Sequence, residues 1–151
     1  MEPDETDRAV INALLADGRA SAREIASETG LPAPTVAKRL DALEAANVVG
    51  GYEARVDYEQ LGYDVSAVFQ LSVDGDGLAE LTDRLRDHDR MIAVYEVTGS
   101  HDVVAIGKFR DTASLDEEIK TLLTDPAVED ATTAIVLDTV REFEQFPVDA
   151  D

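Results

Sequence analysis

The spacing of the apolar residues changes near residue 60, and this change divides the chain into two kinds of structure. Before residue 60, leucine, isoleucine and valine recur every three or four positions, which places them on one face of a helix. After it, stretches that alternate between apolar and polar residues are separated by further helical stretches. The chain is therefore predicted to be an α+β protein in two parts.

The first part of the chain predicts three short helices. Apolar side chains share one face over residues 5–16, and Ser21 is followed three positions later by a glutamate, the spacing of a capping box that begins a second helix. Gly30 is expected to end that helix, and helical spacing returns over residues 33–46. The next residues, 48–57, are expected to form an extended hairpin, so the pattern indicates a winged helix-turn-helix.

The second part of the chain alternates strands and helices. The predicted strands are residues 65–73, 91–98, 103–109 and 128–138, and the predicted helices begin near Leu78 and, at a second capping box, at Ser114. The order β-α-β-β-α-β is that of a ferredoxin-like sandwich, whose sheet has two helices on one face and the other face free to dimerise. The predicted divisions are residues 1–57, a linker at 58–63 and residues 64–151.

The chain has 33 acidic and 13 basic residues, a formal net charge of −20. On charge alone this argues against binding to nucleic acid, because contacts with phosphate supply most of that affinity. The acidity is spread along the chain, however, and only three of the basic residues are lysine. Such a composition is typical of a protein from a cell that accumulates molar salt, where the screening length is about 3 Å. An ordinary acidic protein is the alternative.

Several absences narrow the setting in which the chain is expected to work. It has no cysteine, which excludes disulfides, thiol nucleophiles and cysteine-based zinc sites. No apolar run approaches the roughly 20 residues that span a bilayer, and the acidic N-terminus lacks the apolar stretch of a secretory signal. We therefore expect a cytoplasmic protein without a membrane partner.

Eight segments of the chain resemble the Lrp/AsnC (feast/famine) family of transcription regulators. In the family's order and spacing, they are Asp7–Arg19, Glu24–Ala26, Gly30–Leu31, Thr35–Leu40, Leu43–Glu44, Val48–Tyr52, Val97–Asp102 and Thr132–Thr133. The resemblance implies an N-terminal winged helix-turn-helix that binds double-stranded DNA and a C-terminal ferredoxin-like domain that binds a small effector, an amino acid. It also implies a homodimer that assembles into tetramers or octamers. With the acidic composition, it indicates a halophilic archaeon as the source.

In such a regulator the third helix enters the major groove, which is wide enough to admit an α-helix. Its apolar stripe faces inward, so the residues expected to contact DNA, together with one at the start of the second helix, are Ser21, Pro34, Thr35, Lys38 and Arg39. Lys38 and Arg39 would bind phosphate or guanine, unless both are merely solvated. Residues 19–39 hold four basic and two acidic residues, a local net charge of +2 in a strongly acidic chain.

A short turn between two predicted strands is the candidate effector loop. As an ordinary hairpin turn, it would use Gly99 for a positive φ and Asp102 to cap the loop. In Lrp/AsnC proteins, however, this loop and the final strand of a neighbouring subunit form an amino-acid pocket between dimers. The resemblance therefore implies that the effector-binding residues are Gly99, Ser100, His101, Asp102, Thr132 and Thr133. Asp102 would pair with the α-ammonium, and loop N–H groups would bind the α-carboxylate.

The sequence indicates no catalytic set, no metal site and no cofactor. Neighbouring carboxylates arise by chance at this composition, and His88 and His101 lack the spacing of metal ligands. Two alternatives to a regulator stay open. One is an enzyme like the sirohaem decarboxylases, which share this two-domain scaffold but need histidine and cationic side chains that this chain largely lacks. The other is an effector-binding partner protein whose helix-turn-helix does not bind DNA.

Overall fold

The computed structural model describes residues 1–149 and divides them into two compact units. The first unit comprises residues 1–55 and the described residues from Arg141 onward, and the second comprises residues 56–140. The sequence placed everything after residue 64 in the second unit, so the last segment is assigned differently. Two side chains link this segment to the first unit. The Asn12 amide donates to the Val148 carbonyl oxygen (3.0 Å) and accepts from the Val148 N–H (2.7 Å), and Arg55 Nη2 donates to the Phe143 carbonyl oxygen (3.4 Å).

The first unit contains the three predicted helices, α1 (Glu5–Ala16), α2 (Ala22–Thr29) and α3 (Ala33–Ala45). Gly30 closes α2 with a φ of 75°, a backbone conformation that glycine adopts without strain. The three helices pack around six buried side chains, which are Val10, Ala13, Leu14, Ile25, Val36 and Leu43. The helix-turn-helix is therefore confirmed.

Capping boxes begin the first two helices. The predicted box is present at α2, where Ser21 Oγ accepts from the Glu24 N–H (3.2 Å) and Glu24 accepts from the Ser21 N–H (2.7 Å). A second box, which the sequence analysis missed, begins α1: the Asp4 carboxylate accepts from the Asp7 N–H (2.9 Å), and Asp7 accepts from the Asp4 N–H (3.0 Å). Both reciprocal pairs satisfy N–H groups that a helix leaves unbonded at its start.

The segment after α3 departs from the prediction. Residues 48–57, all of which the structure describes, contain no β-strand, so the expected wing hairpin is not formed within this chain. Val49 packs on the helical core, but every residue from 50 to 57 is exposed. A hairpin that buries no apolar face is marginally stable at best, which accounts for the difference.

The second unit has the predicted order of elements, with strand bounds that match at β1 and β3. The elements are β1 (Val65–Val73), α4 (Leu78–Arg86), β2 (Met91–Glu96), β3 (Val103–Phe109), α5 (Thr112–Thr124) and β4 (Val128–Ile135), with 3₁₀ turns at Glu59–Leu61 and Gly75–Gly77. The strands lie in the order β2-β3-β1-β4, and every neighbouring pair is antiparallel. This is the ferredoxin-like arrangement.

The start of α5 was predicted wrongly. Ser114 does not cap this helix; it lies inside the first turn, and Asp111 is the N-cap. The Asp111 carboxylate accepts from both the N–H (2.7 Å) and the hydroxyl (2.6 Å) of Ser114, and these hydrogen bonds hold the pKa of that carboxyl below its usual value. The strands β2 and β4 also end two or three residues earlier than expected.

The core of the second unit lies between the helices and one face of the sheet. Phe69 and Phe109 meet there edge to face, with ring centroids 5.9 Å apart. Eleven buried side chains form this core, including alternate residues of β1 and β3. The other face of the sheet carries partly exposed apolar side chains, among them Val68, Val104 and Ile106. Among the described residues, no helix is long and apolar enough to cross a membrane.

Candidate functional site

The outward face of α3 presents few side chains that can contact a ligand. Val36 and Leu43 are fully buried, which fixes the rotation of the helix about its axis. Lys38 is exposed and, within residues 1–149, forms no ion pair or hydrogen bond. Pro34 is exposed in the first turn, and Thr35 is half-buried. The predicted outward positions of Pro34 and Lys38 are therefore present in the structure.

Arg39, by contrast, is paired within the unit although its side chain is 35% exposed, so its contact with DNA stays a prediction. Its Nη1 donates to Asp4 Oδ2 (2.7 Å) and to Asp7 Oδ1 (3.2 Å), the two residues of the capping box of α1. Asp7 is only 1% exposed. Because an unpaired carboxylate in such a position is costly, the guanidinium is held as a brace between α3 and the start of α1. We call Asp4, Asp7 and Arg39 the α1–α3 brace.

The ionisation of the brace supports this arrangement. The pKa of Asp4 is lowered, chiefly by the hydrogen bond from the Asp7 N–H and then by the Arg39 guanidinium. The pKa of Arg39 is raised, chiefly by its hydrogen bond to Asp4. Each partner thus favours the charged form of the other, and the positive charge of Arg39 is neutralised within the unit.

The positive island predicted for residues 19–39 is reduced accordingly. Arg19, Arg23 and Lys38 remain exposed cations there, while Arg39 is paired. The Ser21 hydroxyl oxygen is occupied by the cap of α2, so its main effect is to hold the first turn of that helix. A DNA contact at Ser21 would use the exposed start of α2, where unbonded N–H groups favour phosphate.

The candidate effector loop is a tight hairpin turn between β2 and β3. The Val97 N–H donates to the Asp102 carbonyl oxygen (2.9 Å), and Gly99 has a φ of 111°, as the ordinary turn requires. Ser100 Oγ lies 3.3 Å from His101 Nδ1, so these two polar side chains are adjacent. Ser100 is exposed and His101 half-buried.

Asp102 holds this turn to the neighbouring strand. Its N–H donates to the Leu71 carbonyl oxygen (2.8 Å), and its Oδ2 accepts from the Val73 N–H (2.7 Å). One carboxylate oxygen is therefore committed to β1, and Oδ1 is the oxygen left to face a ligand. Asp102 can therefore fix the turn through Oδ2 and contact a ligand only through Oδ1.

Thr132 and Thr133 cannot both face one pocket, which corrects their joint assignment. They are consecutive residues of β4, and consecutive side chains in a strand point to opposite faces of the sheet. Thr133 pairs with Phe69 and shares the face covered by the helices, whereas Thr132 pairs with Gln70 on the open face. Only one of the two can line a given binding site.

The histidines do not form a metal centre with other residues that the structure describes. No group of three or more histidine, aspartate or glutamate side chains lies together in residues 1–149. His88 Nε2 pairs with Glu118 Oε2 at 2.9 Å, and its Nδ1 accepts from the Arg90 N–H at 3.0 Å. Both ring nitrogens of His88 therefore have hydrogen-bond partners, one on α5 and one in the turn before β2.

The two units together define a class of protein: a DNA-binding helix-turn-helix joined to a ferredoxin-like domain. Comparison with known proteins supports both halves. Residues 4–44 match the AsnC-type helix-turn-helix domain, and residues 66–146 match the Lrp/AsnC ligand binding domain. This chain belongs to the Lrp/AsnC family of transcriptional regulators.

Individual relatives agree with this placement. The HTH-type transcriptional regulator FL11 of Pyrococcus abyssi is 33% identical over 145 residues, which cover 96% of each chain. A crystal structure of the leucine response regulatory protein of Mycobacterium tuberculosis has a TM-score of 0.84 at 27% identity, covering 97% of this chain and 100% of that one. A regulator from Neisseria meningitidis, solved in complex with L-methionine, has a TM-score of 0.88 at 24% identity, covering 93% and 94%.

These comparisons exclude the enzyme, one of the two alternatives that the sequence left open. The relatives are named as transcriptional regulators, and both matching families are regulatory domains, so the chain is a regulator and not an enzyme of the sirohaem-decarboxylase type.

Proposed function

We propose that this regulator recognises specific DNA sequences through α3 and that a small effector, an amino acid, changes its assembly or its affinity for DNA. The observation that carries the first half is the combination of an exposed Lys38 with a braced Arg39. The brace fixes α3 relative to α1 and thereby sets the direction in which Lys38, Pro34 and Thr35 face. Lys38 is the principal cationic contact of the helix, and Arg39 positions it.

The effector assignment is supported by the loop at Gly99 to Asp102. Its exposed Ser100, the adjacent His101 and the free Oδ1 of Asp102 supply a hydroxyl, an imidazole and a negative charge within four residues. Such groups suit a ligand with an ammonium and a carboxylate. The L-methionine complex of the Neisseria protein, which has the same fold, supports an amino acid in particular.

We propose a homodimer as the unit that binds DNA, formed through the open face of the sheet. Two copies of α3 would then reach half-sites about one helical turn apart, or a multiple of it. The effector would act by favouring one assembly, tetramer or octamer, over another. It can do so only if its affinity differs between these states.

The test selects DNA from a random library with the full-length protein and measures affinity by fluorescence anisotropy with and without each of the 20 amino acids. We expect the selected sequences to share a palindromic consensus or a single half-site. We also expect at least one amino acid to change both the affinity for DNA and the size of the oligomer. If no sequence is enriched over background, the protein is an effector-binding partner without DNA affinity. If a sequence is enriched but no amino acid changes its binding, the effector assignment is wrong.

The acidic composition supports a further proposal, that the protein works in the cytoplasm of a halophile. Carboxylates keep a surface hydrated in molar salt, and screening removes most of their mutual repulsion. We expect a melting temperature clearly higher in 3 M KCl than in 0.1 M KCl. Equal melting temperatures would show that the acidity is not an adaptation to salt.

A further inference from the structure

Two arginines of the second unit meet at one tyrosine, at the end of the sheet opposite the effector loop. Tyr63 precedes β1, Arg90 precedes β2 and Arg110 follows β3, and these three strand ends lie side by side because the strands are antiparallel neighbours. Arg90 Nη1 and Arg110 Nη2 each donate to Tyr63 Oη at 3.3 Å. We call these three residues the Tyr63 cluster.

Both guanidinium groups also lie against the ring itself. The Cζ atom of Arg110 is 4.5 Å from the ring centroid of Tyr63, and that of Arg90 is 5.1 Å. Tyr58 packs edge to face on the same ring, with centroids 5.9 Å apart. The aromatic ring thus gathers two positive charges close to one oxygen, an arrangement that cation–π attraction favours but mutual repulsion opposes.

Neither guanidinium forms an ion pair with a described carboxylate, although the chain has 33 acidic residues. Within residues 1–149, neither Arg90 nor Arg110 forms an ion pair, whereas Arg39, Arg84, Arg86 and Arg141 all do. An aspartate adjoins each member of the cluster in sequence, but Asp111 is turned to cap α5 and the other two remain unpaired with these arginines. Asp111 lies close enough for the charge of Arg110 to contribute to lowering its pKa, but it forms no ion pair with Arg110. Two exposed, adjacent cations that form no ion pair indicate a place for an anion.

The cluster is also held in position by the backbone. The Arg90 N–H donates to His88 Nδ1 (3.0 Å), and the Arg90 carbonyl oxygen accepts from the Lys108 N–H (2.9 Å). Arg110 directly follows Phe109, which is paired in the sheet with Val65. The side chains therefore extend from fixed points, which lowers the entropy lost when a ligand binds.

The geometry points to a binding site for a phosphate dianion, either inorganic phosphate or the monoester of a small metabolite, at Tyr63, Arg90 and Arg110. Two guanidinium groups match the charge of such a group, and each keeps further N–H donors after its bond to Tyr63. The Tyr63 hydroxyl accepts two hydrogen bonds, so its own proton remains available to a third acceptor. A carboxylate has one charge and two oxygens and is a poorer match. The site concerns the second unit alone and goes beyond the function proposed above.

The test titrates the ¹⁵N-labelled full-length protein with potassium phosphate, with AMP and with potassium acetate, each against KCl at matched ionic strength. The test variant is R90Q/R110Q, and the control is R86Q/K120Q, which removes two exposed cations of the same unit that pair within their own helices. A third variant, Tyr63→Phe, keeps the ring and removes only the shared hydroxyl.

For the wild type we expect saturable shifts of amides near residues 63, 90 and 110 with phosphate. The dissociation constant should rise about tenfold or more in R90Q/R110Q, rise less in Tyr63→Phe, and stay unchanged in the control. Tighter binding of AMP than of phosphate would identify a phosphorylated metabolite, and equal binding would identify the free ion.

The assignment is wrong if the wild type, R90Q/R110Q and the control bind phosphate with equal affinity. It is also wrong if these amides show no saturable shift, or if acetate binds as tightly as phosphate. The salt dependence of DNA binding gives an independent check. If R90Q/R110Q lowers the number of released counterions while the control does not, the cluster contacts the DNA backbone and is not a site for a free phosphate. Failure to bind DNA at all would refute the proposed function and leave the phosphate titration unaffected.

Discussion

Each of the two units of this regulator is stabilised internally, and the kinds of interaction differ between them. The helix-turn-helix has a core of six buried side chains and adds an ionic brace that joins α3 to the start of α1. The ferredoxin-like unit buries eleven apolar side chains, and the arginines that pair with Asp125 and Asp83 are more than half exposed. A core of six residues supplies little apolar burial, so the position of the smaller unit's third helix depends on a polar contact.

The difference has a consequence for function. In the helix-turn-helix, Arg39 is predicted to contact DNA but is paired with Asp4 and Asp7, so Lys38 is the one cation of α3 that forms no ion pair. In the ferredoxin-like unit, Asp102 is similarly committed in part to the fold, because its Oδ2 accepts from the Val73 N–H, while its proposed role is to bind the effector. Residues that suggest a site by their type are here partly committed to the fold.

The largest expected effect is on the apolar core of the ferredoxin-like unit. Replacing Phe69 with alanine removes a fully buried ring and its contact with Phe109, and should lower the free energy of unfolding by about 3–5 kcal/mol. Urea denaturation followed by circular dichroism measures it. Leu123→Ala, at an exposed position of α5, is the control and should cost less than about 0.5 kcal/mol. Similar losses in the two variants would mean that this core is not what stabilises the unit.

The brace should matter somewhat less, and in the other unit. Arg39→Ala leaves the buried Asp7 without its cation and should lower the melting temperature of the helix-turn-helix. Arg23→Ala removes an exposed, unpaired cation of the same unit and should be nearly neutral. Thermal melting of both variants decides the point. Equal melting temperatures would show that the brace contributes no more to stability than an ordinary surface ion pair.

The sequence predicted the elements of this fold well and the contacts between side chains of different elements poorly. Apolar periodicity located every helix and strand, because burial of one face is what these elements have in common. It did not predict the pairing of Arg39, although the position was informative: Arg39 lies three residues after Val36 and four before Leu43, on the side of α3 that is buried. The Asp4 to Asp7 spacing of the capping box was also present. A long side chain that reaches across to a neighbouring helix is invisible to a pattern confined to one helix.

The sequence also could not predict contacts between residues that are far apart in the chain. Nothing in the local sequence relates Asn12 to Val148, which are 136 residues apart, yet this pair helps to join the last segment to the first unit. Asn12→Ala should cost about 1–3 kcal/mol, since it leaves the backbone groups of Val148 without partners. Faster proteolysis of the C-terminal segment, with Arg23→Ala as control, is the expected result. Unchanged cleavage would show that the segment is held elsewhere.

The smallest expected effect is a dependence on pH in the acid range, and each unit has one carboxylate that contributes to it. The pKa of Asp4 is lowered by the Asp7 N–H and by Arg39, and that of Asp111 by its hydrogen bonds to Ser114. A lowered pKa in the folded state stabilises the protein above the unfolded value, 3.8 for both groups. This stabilisation is lost as the pH falls from there through the folded pKa.

Asparagine substitutions separate the two contributions. Asparagine still caps a helix but does not titrate, so Asp4→Asn should flatten the acid limb of the helix-turn-helix transition and Asp111→Asn that of the other unit. Melting curves between about pH 2.5 and pH 5 measure both. An acid limb that is unchanged in both variants would place the titrating groups elsewhere.

The central claim is that Lys38 reads DNA and Arg39 positions the helix that carries it. The most direct measurement compares Lys38→Ala and Arg39→Ala for affinity to a selected operator and for melting temperature. We predict that Lys38→Ala binds about 10–100-fold more weakly at an unchanged melting temperature, and that Arg39→Ala lowers the melting temperature. The account is contradicted if Lys38→Ala binds the operator like the wild type, or if Arg39→Ala loses DNA binding while its melting temperature stays the same.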